Sequence, residues 1–231
     1  MKYLYIILTI LIFSWPTNAQ DYKQRREKMV DKQIYKRGIK HANTLDALRK
    51  VERHLFVSPR YKHMAYNDGP LSIGYGQTIS QPYIVAYMTQ IIDPKPEHKI
   101  LEIGTGSGYQ AAILAEIVDE VYTIEIIPEL GEIASERLKK LGYDNVAVIK
   151  GDGYYGLLEH APFDAIVVTA AAEHIPPSLI QQLKEGGKMV IPVGSPFLVQ
   201  TLMLVEKKRG KISTSSLMPV RFVPFTRSQK Q

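Results

Sequence analysis

Between a short apolar run and a helical one, the chain places three glycines in five residues, Gly104-Thr105-Gly106-Ser107-Gly108. Lys99 to Ile103 reads as a buried strand, and Ala111, Ala112, Leu114 and Ala115 begin a helical pattern just past the glycines. Glycine adopts positive φ at little steric cost, so this is a tight strand-to-helix turn whose backbone a ligand can approach closely. The turn also aims the free N–H groups of the helix start at whatever sits there. Its spacing is Gly-x-Gly-x-Gly, whereas the dinucleotide pattern requires a glycine where Tyr109 stands. A nucleotide-like cofactor other than NAD is favoured, and an NAD-dependent oxidoreductase is disfavoured.

From Lys99 onward the chain alternates. Strand-like runs are Lys99–Ile103, Val121–Glu125, Val146–Lys150, Phe163–Thr169, Lys188–Val193 and Thr201–Val205. Helical patterns at Ala111–Ile117, Glu129–Leu141 and Ser178–Lys184 separate most of them. Such alternation predicts an α/β fold, a doubly wound and mostly parallel sheet with helices on both faces. Thr201–Lys207 and Leu217–Phe225 are joined by a polar turn without a helix, which predicts an antiparallel C-terminal edge. Upstream, a charged amphipathic helix is expected over residues 21–37. A second should open at Asn43 or Thr44, and a third should run from about Pro82 to Ile92. Residues 66–76, rich in Gly, Asp and Tyr, read as turn chemistry.

With 231 residues and 45% hydrophobic content, the chain can bury one sizeable core, so a single domain over residues 20–231 is expected. Residues 1–19 are of another kind. Lys2 precedes an apolar stretch from Tyr3 to Phe13, and Pro16 leads to Thr17-Asn18-Ala19, as in a secretory signal cleaved after Ala19. The apolar part is short for a membrane span, which takes about 20 residues. An uncleaved anchor stays open as the alternative. The net charge of +6 is dispersed, and its densest clusters, at residues 23–28 and 207–211, lack interleaved aromatics. No nucleic-acid partner is therefore expected. The absence of cysteine excludes thiolate chemistry and disulfides. The six histidines show no metal-ligand spacing, so no metal is expected, and no Gly-Lys-Ser/Thr follows the glycines as a phosphate loop would require.

In a parallel sheet, ligands sit beyond the carboxyl ends of the strands, and that is where the candidate residues fall. Glu125 ends the second strand and can accept from ribose hydroxyls, or can simply cap the helix that follows. Asp152, between Gly151 and Gly153, can accept from an exocyclic amine such as that of adenine, or can hold a turn. Val168-Thr169-Ala170-Ala171-Ala172 offers a small-residue floor for a ligand or for helix packing.

The stretch Leu101 to Tyr109 resembles motif I of the S-adenosylmethionine-dependent methyltransferases. Gly74-Tyr75-Gly76-Gln77-Thr78-Ile79-Ser80-Gln81-Pro82 narrows the resemblance to the protein-L-isoaspartate O-methyltransferase family. Arg53-His54-Leu55-Phe56-Val57, Gly151-Asp152-Gly153, residues 176–187 and Val220-Arg221-Phe222-Val223-Pro224 extend it collinearly over residues 25–226. Two departures stand out. Ser72 occupies a place where proline is more usual, and the export-like N-terminus is not typical of a family that is usually cytoplasmic. That segment points to the periplasm or envelope, and the compartment stays open.

The resemblance implies S-adenosyl-L-methionine as methyl donor and the α-carboxyl of L-isoaspartyl residues in damaged proteins or peptides as acceptor. The ester then closes to a succinimide, which hydrolyses partly to normal aspartate. By position, Ser80 takes the catalytic assignment, with Gln77 and Thr78 near the acceptor and Val220 and Arg221 beside the bound peptide. Glu102, Gly104, Thr105, Gly106 and Gly108 fall on the cofactor side, the glycines along the methionine moiety. Glu125 takes the ribose, and Asp152 with Gly153 the adenine. Ser80 also reads as the N-cap of the helix beginning near Pro82. A monomer is expected. Two alternatives share the motifs: a methyltransferase of a small-molecule acceptor, and an exported, non-catalytic peptide-binding relative.

Overall fold

The computed structural model describes residues 18–228, so the signal-like segment 1–19 lies outside the described residues except for its last two. α1 (Asn18–Lys28) continues into a π-helical turn, Met29–Ile34, and a 3-10 turn, Tyr35–Arg37, ended by Gly38 at φ 96°. The widened turn lets Met29, Val30 and Ile34 all reach the core, where each is fully buried. α2 (Ala42–Lys50) starts one residue before the predicted opening. Its cap is His41, whose Nδ1 lies 2.7 Å from Thr44 Oγ1, so Thr44 faces inward and does not cap.

Residues 66–76 hold more than turns. β1 (Leu71–Gly74) and β2 (Gln77–Ile79) form an antiparallel hairpin closed by Tyr75 and Gly76, both at positive φ. Such a turn matches the twist of the strands it joins. The hairpin leads directly into α3 (Pro82–Ile92).

The main sheet follows: β3 (Lys99–Ile103), α4 (Tyr109–Ala115), β4 (Glu120–Glu125), α5 (Pro128–Lys140), β5 (Val146–Lys150), β6 (Phe163–Val168), α6 (Pro177–Gln182), β7 (Leu183–Val193), β8 (Gln200–Lys208) and β9 (Lys211–Val220). Its order is β5-β4-β3-β6-β7-β8-β9, parallel through β7 and antiparallel from β8 onward, the mostly parallel sheet with an antiparallel C-terminal edge that the sequence predicts. From β3 the chain winds outward through β4 and β5, then returns to place β6 on the other side. The switch point therefore lies between β3 and β6, where a ligand crevice is expected. Side chains alternate across the sheet. Ile100, Val121, Ala165 and Val190 pack with α2, α3 and α4, while Leu101, Ile103, Ile124, Ile166 and Met189 pack with Leu179 of α6 on the opposite face.

Two strand boundaries differ most from the sequence reading. β7 begins at Leu183, opposite Phe163, and Lys184–Gly187 bulge before pairing resumes at Lys188 opposite Ala165. A Cβ on Gly187 would lie 2.8 Å from the Lys184 carbonyl, so the bulge depends on glycine there. β9 runs over Lys211–Val220, earlier than the predicted Leu217–Phe225, because its first half is an exposed edge of Ser and Thr in which Ile212 is a lone apolar residue. Beyond β9 the chain crosses the sheet ends, with Ala171 donating to Val223 and Phe225 donating back to Ala171. Among the described residues no helix is long and apolar enough to cross a membrane.

Candidate active site

The glycine turn is bound to the end of the neighbouring strand. Gly104 and Thr105 both donate to the Ile124 carbonyl, at 2.8 and 3.3 Å. Gly106 donates to Glu125 Oε2 at 2.7 Å, and Ile127 donates to Glu125 Oε1 at 3.0 Å. Each oxygen of this buried carboxylate thus has one backbone donor and keeps lone pairs for a ligand. Gly104, Gly106 and Gly108 have φ of 95°, 52° and 85°, the left-handed region that glycine alone enters cheaply. At Gly104 a Cβ would meet Thr169 Oγ1 at 2.5 Å. Thr169 closes the other side of the turn, its hydroxyl reaching the carbonyls of Ile103 and Gly104 at 2.9 and 2.7 Å.

Beneath the turn lies a small cavity lined by Glu102, Gly104, Thr105, Gly106, Ser107, Thr78 and Ser80, among others. Glu102 is fully buried. Its Oε2 accepts from the Thr123 hydroxyl at 2.5 Å, and Thr105 Oγ1 is 2.7 Å from Thr123 Oγ1. A hydroxyl has one proton, so Thr105 donates to Thr123 and Thr123 to Glu102. Oε1 has no hydrogen-bond partner. Burial pushes this carboxyl up to about 8, although the Thr123 bond works against the rise. Together, an orphaned carboxylate oxygen under a positive-φ turn and a second carboxylate fixed by backbone donors fit a nucleoside with a cationic amino-acid end. Its ammonium would satisfy Glu102 and its hydroxyls Glu125.

A wider cleft of about 410 Å³ opens on the other side of Ser80. It is largely apolar, bordered by Pro70, Tyr83, Ile84, Met218, Val220 and Phe222, with cations at Arg37 and Arg221. Arg37 lies 3.6 Å over the Tyr83 ring and donates to Asp68 at 2.8 Å. Sequence reasoning missed Arg37, since nothing in a charged helix marks one arginine as cleft-lining. Three residues stand where the two spaces meet. Thr78 and Ser80 border both the cleft and the small cavity, and Thr169 faces them from β6's end.

The other candidates are distributed less simply. Val220 and Arg221 line the cleft. Gln77 borders the pocket around Gly104, Gly106, Glu125 and Gly153 and is not among the residues bordering the wider cleft. Gly108 borders neither the cleft, nor the small cavity, nor the pocket around Gly104 and Glu125. It caps α4 and packs on Leu138, 3.2 Å from where its Cβ would be. Ser80 is not the cap of α3; Gln81 holds that position, which frees the serine side chain. Asp152 Oδ1 accepts from Tyr154 N–H, while its Oδ2 takes Arg227 Nε, Ser228 N–H and the Ser228 hydroxyl at 2.9–3.0 Å. Partial burial disfavours its charge, but these bonds outweigh that and hold the carboxyl below the usual range. The tail, whose residues 223–226 border the same pocket as Gly104, Glu125 and Gly153, is thereby tied to Asp152, with the Arg227 guanidinium carbon 3.5 Å from the Tyr154 ring centroid.

The sequence pattern and this geometry agree with the comparison to known proteins. The family model for protein-L-isoaspartate(D-aspartate) O-methyltransferase matches residues 24–230. The chain belongs to this family. The protein-L-isoaspartate O-methyltransferase of Opitutus terrae is 57% identical over 96% of this chain and 97% of its own length. Protein-L-isoaspartate O-methyltransferase 1 of Nitrosospira multiformis is also 57% identical, over 91% and 90%. Among solved structures, a protein-L-isoaspartate O-methyltransferase superposes with a TM-score of 0.80 at 30% identity, covering 86% of this chain and 65% of that one. A Plasmodium falciparum protein described as a protein-L-isoaspartate O-methyltransferase, solved with S-adenosyl-L-homocysteine, gives 0.76 at 27% identity over 88% and 99%. The methyl donor of the family is S-adenosyl-L-methionine, a nucleoside with a cationic amino-acid end.

Proposed function

We propose that this protein methylates the α-carboxyl of L-isoaspartyl residues in damaged proteins or peptides, the first step of their repair through a succinimide. Ser80 is its catalytic residue, and residues 20–231 act as one domain. Bound S-adenosyl-L-methionine supplies a sulfonium methyl, which an acceptor carboxylate oxygen takes as the bond to sulfur breaks. The carboxylate is already ionised at neutral pH, its pKa lying near ~4, so no strong base is needed. The work of the residues is alignment and exclusion of water, and alignment of this kind is worth ~7–11 kcal/mol in favourable cases.

Glu125 holds the ribose, Glu102 the ammonium, and Gly104, Thr105 and Gly106 the backbone-lined approach to the methionine. Gly153 lies on the adenine side, with Asp152 holding the tail over it. On the acceptor side Ser80 donates a hydrogen bond to the carboxylate oxygen that does not attack. Thr78, Val220 and Arg221 shape the peptide's seat, and Gln77 steadies the hairpin between the two ligands. The single observation supporting this reading is that Ser80 borders both the acceptor cleft and the cavity under the glycine turn. Ser80→Ala tests it. Turnover of an isoaspartyl peptide should fall by about tenfold or more, with S-adenosyl-L-homocysteine affinity retained. Turnover within about twofold of wild type would remove Ser80 from the chemistry.

A further inference from the structure

Arg53 belongs to a motif that the cofactor and acceptor sites leave without a task. It opens the 3-10 turn Arg53–Leu55 after α2, and its side chain has no solvent exposure. Nε donates to the Ala65 carbonyl at 2.8 Å, and Nη2 donates to the Ser80 carbonyl at 2.8 Å. The guanidinium carbon lies 4.8 Å from the centroid of the Tyr109 ring, which is itself buried edge-on against Phe56 at 5.5 Å. Nη1 has no partner, and no carboxylate among the described residues is paired with this cation. Burial lowers its pKa to about 10, which leaves it charged at neutral pH.

A buried cation without a counter-ion is a costly core residue, and an apolar side chain of similar volume would fill the space more cheaply. What the guanidinium provides is a rigid planar fork with donors in fixed directions. One arm grips the carbonyl of Ser80, which fixes that residue's ψ and the entry into α3. Its carbon lies over the ring of Tyr109, the first residue of α4 after the glycine turn. The Ser80 hydroxyl makes no hydrogen bond to another described residue, so its direction depends on the backbone that Arg53 holds.

We infer that Arg53 is a positioning residue of the transfer step, tying the carbonyl of Ser80 to the helix that begins at Tyr109 so that acceptor loop and glycine turn keep a fixed separation. The inference rests on the Ser80 reading above. Arg53→Lys keeps the charge and loses the fork. Arg53→Gln loses the charge, reaches one carbonyl at most, and serves where a buried lysine prevents folding.

The test measures melting temperature, calorimetric affinity for S-adenosyl-L-homocysteine, and kcat and KM on an isoaspartyl peptide, each in wild-type and Ser80→Ala backgrounds. Expected are an affinity within about threefold of wild type and a kcat lowered by about tenfold or more, with little change in KM. In the Ser80→Ala background the same Arg53 substitution should cost less than about threefold in kcat, because its effect passes through a side chain already removed. A kcat that falls only in step with affinity and melting temperature overturns the inference in favour of plain core packing. So does an undiminished loss in the Ser80→Ala background. A Ser80→Ala enzyme with wild-type turnover rejects the Ser80 reading itself, and the inference with it.

Discussion

Gly106 donates its backbone N–H to Glu125 Oε2 at 2.7 Å, so the glycine turn and the carboxylate at the end of β4 form one unit. The sequence places them nineteen residues apart, and parallel pairing of β3 with β4 brings their ends together. Glu125 is thereby fixed before any ligand arrives, with no side-chain rotamer left to order.

Glu125→Gln places an amide where two backbone donors and, on the proposed reading, two ribose hydroxyls all seek acceptors. Hydrogen bonds to a charged group contribute roughly 1.5–3 kcal/mol each, so S-adenosyl-L-homocysteine affinity should drop about 10- to 100-fold. Isothermal titration measures it. A loss below about twofold would mean that the carboxylate serves only the turn.

Gly104→Ala meets two obstacles, a φ of 95° and Thr169 Oγ1 at 2.5 Å from the new Cβ. Backbone strain of this kind costs on the order of 1–3 kcal/mol, and the contact adds to it. The melting temperature should fall and the nucleoside affinity with it. Adding Thr169→Ala should recover the part due to the contact and none of the part due to φ. Full recovery would show that φ carries no cost here.

Glu102 has a folded-state pKa of about 8, raised chiefly by burial from the ordinary carboxylate value. The native state therefore holds a proton that the unfolded chain releases. Its contribution to stability is complete below about pH 4 and is lost as pH climbs through about 8. Thermal melts of wild type should decline across that window more steeply than those of Glu102→Gln, which cannot titrate. An ammonium docking beside Oε1 would also favour the ionised form. Binding of S-adenosyl-L-homocysteine near neutral pH should thus release a proton, visible as a dependence of the calorimetric heat on the buffer's ionisation enthalpy. Equal slopes and no proton release would place the ammonium elsewhere.

The parts of the fold read from sequence are those where local pattern and tertiary environment demand the same thing. β3, β4 and β6 are buried on both faces and so appear as apolar runs with clear ends. The first half of β9 escapes because an exposed edge strand can be polar without losing its ladder bonds, and β1 and β2 because Tyr75-Gly76 and Gly74 look like loop when their pairing is unseen. In the site, Glu125 was legible from its position at a strand end. The glycine spacing was legible too, but not that Gly108 serves Leu138 packing while Gly104 and Gly106 line the pocket. Arg37 and Arg53 were opaque because their roles depend on partners far along the chain: Tyr83 for the one, Ala65, Ser80 and Tyr109 for the other. Long-range partnership of this sort leaves no periodicity.

The most direct measurement is methyl transfer from radiolabelled S-adenosyl-L-methionine to an isoaspartyl peptide and to its twin of identical sequence carrying normal aspartate. The account predicts base-labile label on the isoaspartyl peptide, and a kcat/KM for the normal twin lower by about a hundredfold or more. Equal labelling of the twins, or none of either by protein that binds S-adenosyl-L-homocysteine, would contradict it.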